Sequence, residues 1–335
     1  MMYNITLIPG DGIGPEVINA AKRIIDSTGL KINWDIQEAG ANALSKHGTL
    51  LPDSLISSIK NNKLAFKGPI TTPIGGGFRS VNVSLRQALD LYANVRPCKN
   101  YAGIKSRYEN IDLIVVRENT EDIYCGKDYM VDKDTAESVK VITRKGSERI
   151  VRYAFELAKK ESRKKVTAVH KANIMKCTDG MFLNTAREVA SEYTDIIFEE
   201  MIVDAMCMKL VQAPENYDVM VMPNLYGDII SDLCSGLIGG LGITPSGNIG
   251  LQASVFEPVH GSAPDIAGKG IANPTAAILS GCMMLRHIGE IQASESIENI
   301  LSTIFFEGKF LTQDLGGSLS TDEFADEIIQ RLEGR

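Results

Sequence analysis

The sequence predicts an α/β protein with a largely parallel sheet, arranged in two domains or one large one. Two observations support this prediction. Short apolar runs typical of buried strands alternate with segments of helical period, and polar residues gather directly after the apolar runs. At about 150 residues per domain, a length of 335 residues suggests two domains. The composition, 44% hydrophobic and 23% charged, is that of a globular protein with a sizeable core.

The predicted strands are short runs rich in aliphatic residues, at positions 5–8, 64–66, 112–116, 166–169, 196–198 and 219–222. A helix is predicted after the first strand, because Pro15 suits a first helical turn and Gly29 suits the position past its end. A second helix is predicted to be capped by Ser147. Its buried face would contain Ile150, Val151, Ala154, Phe155 and Ala158.

The segment 125–144 interrupts this alternation of strands and helices. Val131, Val139, Val141 and Ile142 are spaced among charged residues there, which predicts a β-hairpin-like arm. We expect the arm to cover a partner subunit. The alternative is an exposed surface loop.

Charge and cysteine content limit the partners and the compartment. With 42 acidic and 35 basic side chains the net charge is −7, which disfavours general binding to nucleic-acid phosphates. Six scattered cysteines without a C-x-x-C pair indicate reduced thiols. The sequence opens on a strand-like run rather than a signal-peptide pattern, and it lacks an apolar stretch of about 18 residues. We therefore expect a cytoplasmic protein that binds neither nucleic acid nor membranes.

Residues 10–15 read Gly-Asp-Gly-Ile-Gly-Pro, directly after the first strand. The dinucleotide-binding fingerprint is G-x-G-x-x-G, whereas here the third glycine comes one residue early and a proline follows it. The favoured interpretation is a tight turn from strand to helix. The alternative is a phosphate-binding loop.

Arginines and aspartates suggest an anionic substrate and a metal ion. Arg86, Arg96 and Arg117 can each hold a carboxylate through two hydrogen bonds, so their convergence would suit a small di- or tricarboxylate; surface ion pairs are the alternative. Asp228 and Asp232 are four positions apart and share one helix face. Their oxygens suit Mg²⁺ or Mn²⁺, with helix capping as the alternative.

Three further residues are candidates for proton transfer and cofactor selection. Lys171 can act as a base when its surroundings favour the neutral amine, and Tyr124 can donate a proton to a developing carbanion. Asp265 lies in a segment rich in Gly, Ser and Pro, residues 260–274. A carboxylate there can bind a ribose hydroxyl and would repel a 2′-phosphate, which favours NAD over NADP.

Residues 8–15 and the motifs at 117–122, 224–228 and 257–263 together resemble the β-decarboxylating dehydrogenases, which act on isocitrate, homoisocitrate or 3-isopropylmalate. The resemblance covers nearly the whole chain. It implies the isocitrate/isopropylmalate dehydrogenase-like fold, with two α/β domains, which is not a Rossmann fold. Residues 1–99 and 245–335 would form the large domain with both chain ends, and residues 100–244 the small domain with the arm and the dimer interface.

The resemblance also implies the role of each site residue. Tyr124 and Lys171 would be catalytic, and Asp228 and Asp232 would hold Mg²⁺ or Mn²⁺ with Asp204 of the neighbouring subunit. Lys171 and Asn173 would also come from that neighbour, so a homodimer would share its active sites. The substrate residues would be Ser80, Asn82, Arg86, Arg96, Arg117 and Asn173. The cofactor residues would be Thr72, Glu257, His260, Gly261, Ser262, Ala263, Asp265, Ile266 and Asn273.

Two positions within the family pattern imply the substrate and the cofactor. Ser80 and Asn82 resemble the isocitrate pattern, in which both hydrogen-bond the γ-carboxylate, whereas isopropylmalate enzymes offer apolar side chains. Asp265 and Ile266 stand where NADP-dependent bacterial isocitrate enzymes carry Lys and Tyr, which implies NAD. The expected activity is the metal-dependent oxidative decarboxylation of isocitrate to 2-oxoglutarate and CO₂, with reduction of NAD. The alternatives are a homoisocitrate or 3-isopropylmalate dehydrogenase, or a regulatory subunit of a hetero-oligomeric isocitrate dehydrogenase.

Overall fold

The computed structural model describes residues 2–71 and 80–334. The strands are, in chain order, β1 (Met2–Ile8), β2 (Lys31–Ile36), β3 (Leu64–Lys67), β4 (Ala93–Lys99), β5 (Asp112–Glu118), β6 (Asp128–Met130), β7 (Ala136–Ser138), β8 (Lys165–His170), β9 (Ile197–Ile202), β10 (Val219–Met222), β11 (Pro245–Ile249) and β12 (Ser254–Pro258). The predicted strands are confirmed, although the one predicted at 196–198 extends to Ile202.

The helices are α1 (Gly14–Ser27), α2 (Ala41–His47), α3 (Asp53–Asn62), α4 (Val81–Ala88), α5 (Arg144–Lys160), α6 (Thr178–Ala190), α7 (Val203–Gln212), α8 (Asn224–Ile238), α9 (Thr275–His287), α10 (Ile291–Glu307) and α11 (Thr321–Leu332). Within the described residues, no helix is both long and apolar enough to span a bilayer.

The chain divides by its internal contacts into two compact units. The first unit comprises Met1–Asp90, Asn100–Arg107 and Gly239–Arg335, and the second comprises Leu91–Lys99 and Tyr108–Ile238. Strand β4 belongs to the second unit because it pairs with β5 along its whole length. The boundaries predicted from the sequence differ from this division at residues 91–99, 100–107 and 239–244.

The first unit contains strands in the order β2-β1-β3-β12-β11. The first four strands are parallel to one another, and β11 runs antiparallel to β12. Helix α1 begins as predicted, with Pro15 in its first turn, and Gly29 follows its end with φ +80°. The apolar faces of α1, α9, α10 and α11 bury a core with Phe66 and Phe256 of the sheet.

The second unit contains strands in the order β4-β5-β10-β8-β9. Strand β4 is antiparallel to β5, and the remaining pairs are parallel. Helix α5 packs on this sheet through the predicted apolar face, which is fully buried from Ile150 to Ala158. Because the sheet is parallel, the loops that follow β5, β8 and β10 emerge at one edge.

The predicted cap of α5 is wrong. The helix begins at Arg144, and the hydroxyl of Thr143 accepts a hydrogen bond from the Gly146 N–H at 2.9 Å. Ser147 lies inside the helix and donates its hydroxyl to the Thr143 carbonyl at 2.8 Å. The first turn contains no apolar residue, so the apolar period alone places the start one turn too late.

The segment predicted to form an arm is a hairpin. Strands β6 and β7 pair antiparallel with each other, which confirms the hairpin. Tyr129, Met130 and Val131 are at least half exposed at its tip. The arm therefore offers apolar surface to solvent or to a partner.

Candidate active site

The proton-transfer candidates of the second unit lie at one edge of its sheet. Strands β5, β10 and β8 are parallel neighbours that end at Glu118, Met222 and His170. The loop after β5 contains Tyr124, and Lys171 follows β8 directly. The fold thus places both residues at the same edge of the sheet, although they are far apart in the chain.

Arg117 is the centre of the first cluster at this edge. Its buried guanidinium donates from Nε and Nη2 to the side-chain oxygen of Asn224, at 3.0 and 2.8 Å, and from Nη1 to Asp228. The Tyr124 hydroxyl donates to the other Asp228 oxygen at 2.7 Å. A Cβ at position 227 would overlap the stem of Arg117, so Gly227 lets helix α8 approach this arginine.

Arg96 of β4 reaches the same helix. Its Nη1 donates to the Ser231 hydroxyl at 2.6 Å and to Asp232 at 3.0 Å. The structure therefore brings two of the three predicted arginines, Arg96 and Arg117, to the first turns of α8. Arg86 belongs to the first unit, where it lies near Glu257.

Asp228 and Asp232 present two carboxylates one helical turn apart, with side chains 42% and 58% exposed. Mg²⁺ is commonly held by one or two protein carboxylates, with water and substrate completing its octahedron. The chemistry of this donor pair therefore fits Mg²⁺ or Mn²⁺. Among the described residues no third Asp, Glu, His or Cys joins the pair.

Asp204 lies in the first turn of α7 and binds the ammonium of Lys171 instead. The hydrogen bond from Lys171 lowers the pKa of the Asp204 carboxyl. The Lys171 N–H donates to Asp179 at 2.7 Å, which fixes the start of the loop after β8. Asn173 lies in this loop and is exposed.

In the first unit, the parallel strands β1, β3 and β12 also end at one edge of their sheet. The turn of residues 9–13 is tied to both neighbouring loops: the Asp11 N–H donates to the Pro69 carbonyl at 2.8 Å, and the Ile13 N–H donates to the Ser262 carbonyl at 2.9 Å. This geometry agrees with the tight turn predicted there. The Thr71 hydroxyl bonds the Ser262 hydroxyl at 2.7 Å, whereas Thr72 lies outside the described residues.

Glu257 at the end of β12 is held in a buried charged network. Lys67 lies 2.5 Å from it, Asn248 donates to it at 2.7 Å, and Arg86 lies at 3.7 Å. Burial alone raises the pKa of Glu257, but Lys67 and Arg86 outweigh this effect and hold the pKa at about 2. Lys67 is not among the residues predicted from the sequence, where its only signal is a lysine at the end of an apolar strand.

Ser80 and Asn82 lie at the beginning of α4. Ser80 is the N-cap and accepts a hydrogen bond from the Val83 N–H at 3.5 Å. The side-chain oxygen of Asn82 is buried and finds no hydrogen-bond partner within the described part of the chain. This oxygen accepts hydrogen bonds, so it favours a group beside it that can donate one.

The loop after β12 contains the remaining cofactor candidates, His260, Gly261, Ser262, Ala263, Asp265, Ile266 and Asn273. Burial lowers the pKa of His260. Asp265 and Ile266 lie in a short 3₁₀ turn, Pro264–Ile266, and Asp265 is exposed. The Asn273 amide donates to Asp314 at 2.9 Å and accepts from the Thr275 N–H at 2.9 Å, so it holds the loop end in place.

Parallel strands that end in arginines, carboxylates and proton-transfer groups define an α/β enzyme. The chain belongs to the isocitrate/isopropylmalate dehydrogenase family, whose sequence model matches residues 4–328.

Similar proteins agree with this assignment. A mitochondrial regulatory subunit of NAD isocitrate dehydrogenase from Dictyostelium discoideum is 51% identical over 332 residues, which cover 99% of this chain and 92% of the relative. Mitochondrial catalytic subunit 5 from Arabidopsis thaliana is also 51% identical, and the match covers 98% of this chain and 88% of the relative. The crystal structure of isocitrate dehydrogenase from Methylococcus capsulatus is 54% identical with a TM-score of 0.96, and the match covers 99% of each chain.

Proposed function

We propose that the protein catalyses the oxidative decarboxylation of isocitrate to 2-oxoglutarate and CO₂ with reduction of NAD. The observation that supports this proposal best is the cluster on α8. There Asp232 binds Arg96, and Asp228 binds Arg117. Asp228 also accepts a hydrogen bond from the hydroxyl of Tyr124. Groups that bind carboxylates and a group that can deliver a proton thus share one place.

The arginines bind the substrate, and the tyrosine and lysine move its protons. Arg96, Arg117 and Arg86 hold the carboxylates of isocitrate. Lys171 accepts the proton of the C2 hydroxyl as its neutral amine, and Asp204 then binds the ammonium that forms. After CO₂ leaves, Tyr124 protonates C3.

Two bound groups complete the site. Asp228 and Asp232 would hold Mg²⁺ or Mn²⁺, and the loop from His260 to Asn273 would hold NAD with Asp265 at a ribose hydroxyl. When bound, the metal supplies Lewis-acid stabilisation of negative charge on the substrate oxygens, and NAD supplies the hydride acceptor. Glu257 is bound to Lys67, Asn248 and Arg86, and through these contacts it would help to position the cofactor side of the site.

The choice of isocitrate rests on Ser80 and Asn82. The Ser80 hydroxyl and the Asn82 Nδ2 group can both donate hydrogen bonds to the γ-carboxylate of isocitrate, whereas an isopropyl group offers them no acceptor. Homoisocitrate is one methylene longer and remains the closer competitor. A pocket that excludes one extra methylene only by its size lowers kcat/KM for the longer substrate by about 10- to 200-fold.

We further propose a homodimer that shares its active sites. In one chain Asp204 binds Lys171, and it is not part of the pair formed by Asp228 and Asp232. A twofold dimer would bring Asp204, Lys171 and Asn173 of the partner subunit to this pair. The exposed arm tip of Tyr129, Met130 and Val131 would cover the partner.

A regulatory subunit is the second candidate, because one close relative bears that name. Tyr124, Lys171, Asp204, Asp228 and Asp232 are all present in this chain. A chain with every proton-transfer and metal position has the groups that catalysis needs. This favours the catalytic proposal.

The test is NADH formation by the purified chain with isocitrate, NAD and Mn²⁺. We expect turnover that stops when EDTA removes the metal and returns when Mn²⁺ is restored. NADP, homoisocitrate and 3-isopropylmalate should give much lower kcat/KM. Absence of turnover by the single chain, with turnover restored by a second type of subunit, would support the regulatory alternative.

We also propose a reducing compartment and, more specifically, the cytoplasm. The six cysteines form no disulfide among the described residues. The matched relatives from Dictyostelium and Arabidopsis are mitochondrial, so cell fractionation is the deciding experiment. Recovery of the protein in an organelle fraction would overturn the cytoplasmic assignment.

A further inference from the structure

A buried ammonium lies between two buried carboxylates in the second unit. Nζ of Lys140 is 2.9 Å from Asp179 and 3.6 Å from Asp122, and neither aspartate side chain has any exposed surface. The ring of Tyr226 lies 4.3 Å from the same nitrogen. We refer to Lys140, Asp122, Asp179 and Tyr226 as the lysine cluster. The reaction proposed above uses none of its members.

Asp179 links the lysine cluster to Lys171. It lies in the first turn of α6, and one of its oxygens accepts the Lys171 N–H at 2.7 Å. The other oxygen faces the ammonium of Lys140. The position of the Lys171 backbone therefore depends on a carboxylate that is itself held by Lys140.

Asp122 links the same ammonium to Tyr124 and to helix α8. One oxygen of Asp122 accepts the Ile123 N–H at 2.8 Å, at the beginning of the short turn that contains Tyr124. The other oxygen accepts the Leu225 N–H at 3.0 Å, in the first turn of α8. Asp122 itself has φ +71°, a conformation that costs an L-residue energy and that these bonds maintain.

We propose that Lys140 is a positioning residue, which holds both the Lys171 segment and the segment of Tyr124 and Asp228 in place. In the proposed homodimer these two segments of one chain serve different active sites. This proposal rests on the proposed function. The two buried carboxylates would repel each other without the ammonium, and each is bound to the backbone of a different catalytic segment. A buried ion pair adds little net stability compared with well-packed apolar residues, so stability alone is a weak reason for placing a charge there.

The test compares K140M, K140R and wild type by steady-state kinetics. We expect K140M to lower kcat by about a hundredfold, the cost of a displacement of roughly 1 Å at a reacting group. The KM for NAD should stay within about twofold, because the NAD residues belong to the first unit. K140R should recover part of kcat, since its guanidinium keeps the charge. K159M, which removes an exposed lysine of the same unit, is the matched control and should behave as wild type.

Amide hydrogen exchange gives a readout independent of turnover. K140M should increase exchange in the peptides that contain the Lys171 and Leu225 amides, and K159M should not. D179N is the second variant, which tests the same proposal if K140M does not fold, and it should lower kcat in the same way. If both variants fold, the double variant K140M/D179N should lose less activity than the sum of the two single effects.

Three results would overturn the proposal. They are an unchanged kcat in K140M, a kcat loss that K140R does not recover, and full additivity of K140M with D179N. If the wild-type chain itself turns over no isocitrate, the proposed function fails first. The exchange experiment still tests the lysine cluster in that case.

Discussion

The hydroxyl of Tyr124 donates a hydrogen bond to Asp228 at 2.7 Å, and Asp228 also binds the buried guanidinium of Arg117. The aspartate therefore couples a proton donor to a carboxylate-binding arginine through its two oxygens. In the proposed reaction, this bond would give Tyr124 a defined direction as the proton donor.

Replacing Tyr124 by Phe removes this hydroxyl and keeps the ring. We expect decarboxylation of oxalosuccinate to fall by about 10² or more, because C3 loses its proton donor, whereas reduction of oxalosuccinate by NADH falls less. The matched control is Y193F, since Tyr193 also donates to a carboxylate, that of Glu156 at 2.6 Å. Equal losses in the two reactions of Y124F would contradict the role of Tyr124.

The cofactor preference should follow residues 265 and 266. In D265K/I266Y a positive charge replaces a negative one, so we expect the ratio of kcat/KM for NADP to that for NAD to rise by at least tenfold. D53K reverses an exposed charge elsewhere in the first unit and should leave the ratio unchanged. An unchanged ratio in the double variant means that this turn does not select the cofactor.

The network around Glu257 should make stability depend on pH in acid. The pKa of Glu257 is lowered from 4.5 to about 2 in the folded chain. The charged form therefore stabilises the fold above pH 4.5, and this contribution is lost as the pH falls toward 2. Relative to E257Q, wild type should be more stable by roughly 3 kcal/mol near neutral pH, and the difference should vanish in acid.

Urea unfolding followed by the fluorescence of Trp34 measures this difference. Trp34 is the one tryptophan of the chain, and it lies in β2 of the first unit, where Glu257 also lies. E295Q, at an exposed glutamate of the same unit, is the control and should show no such difference. A constant gap between wild type and E257Q from neutral pH to pH 3 would count against the charged network.

A shared active site predicts complementation between two inactive variants. Y124F and K171M should each have little activity, and subunit exchange between them should produce hybrids with one intact site. Random exchange gives about a quarter of the wild-type activity. A mixture that stays inactive after exchange, verified by mass spectrometry, would place both residues in the site of a single chain.

Much of the fold was predictable because periodicity reports burial directly. Apolar spacing predicts the strands whose ends carry the candidate site residues, and it predicts the buried face of α5. The hairpin follows from the break in that spacing. The helix cap was not predictable in this way, because Thr143 and Ser147 are both good capping residues and only the backbone decides between them.

The sequence indicates candidate site residues but not the contacts between them. Motifs indicated Tyr124, Lys171 and the aspartates, but nothing local in the sequence links Lys67 to Glu257 or Lys140 to Asp179. These pairs join positions that are far apart in the chain, and burial makes each lysine depend on one particular carboxylate. Spacing along the chain does not contain such information.

The turn of residues 9–13 has a consequence for the sequence variation that the chain can tolerate. Gly10 and Gly12 both have positive φ, and a Cβ at either position would overlap a backbone carbonyl, that of Pro69 or that of Ser262. Neither obstacle is a side chain that can rotate away. A saturation library screened for folded protein should therefore return glycine alone at these two codons, whereas Gly29, with open space around it, should accept asparagine.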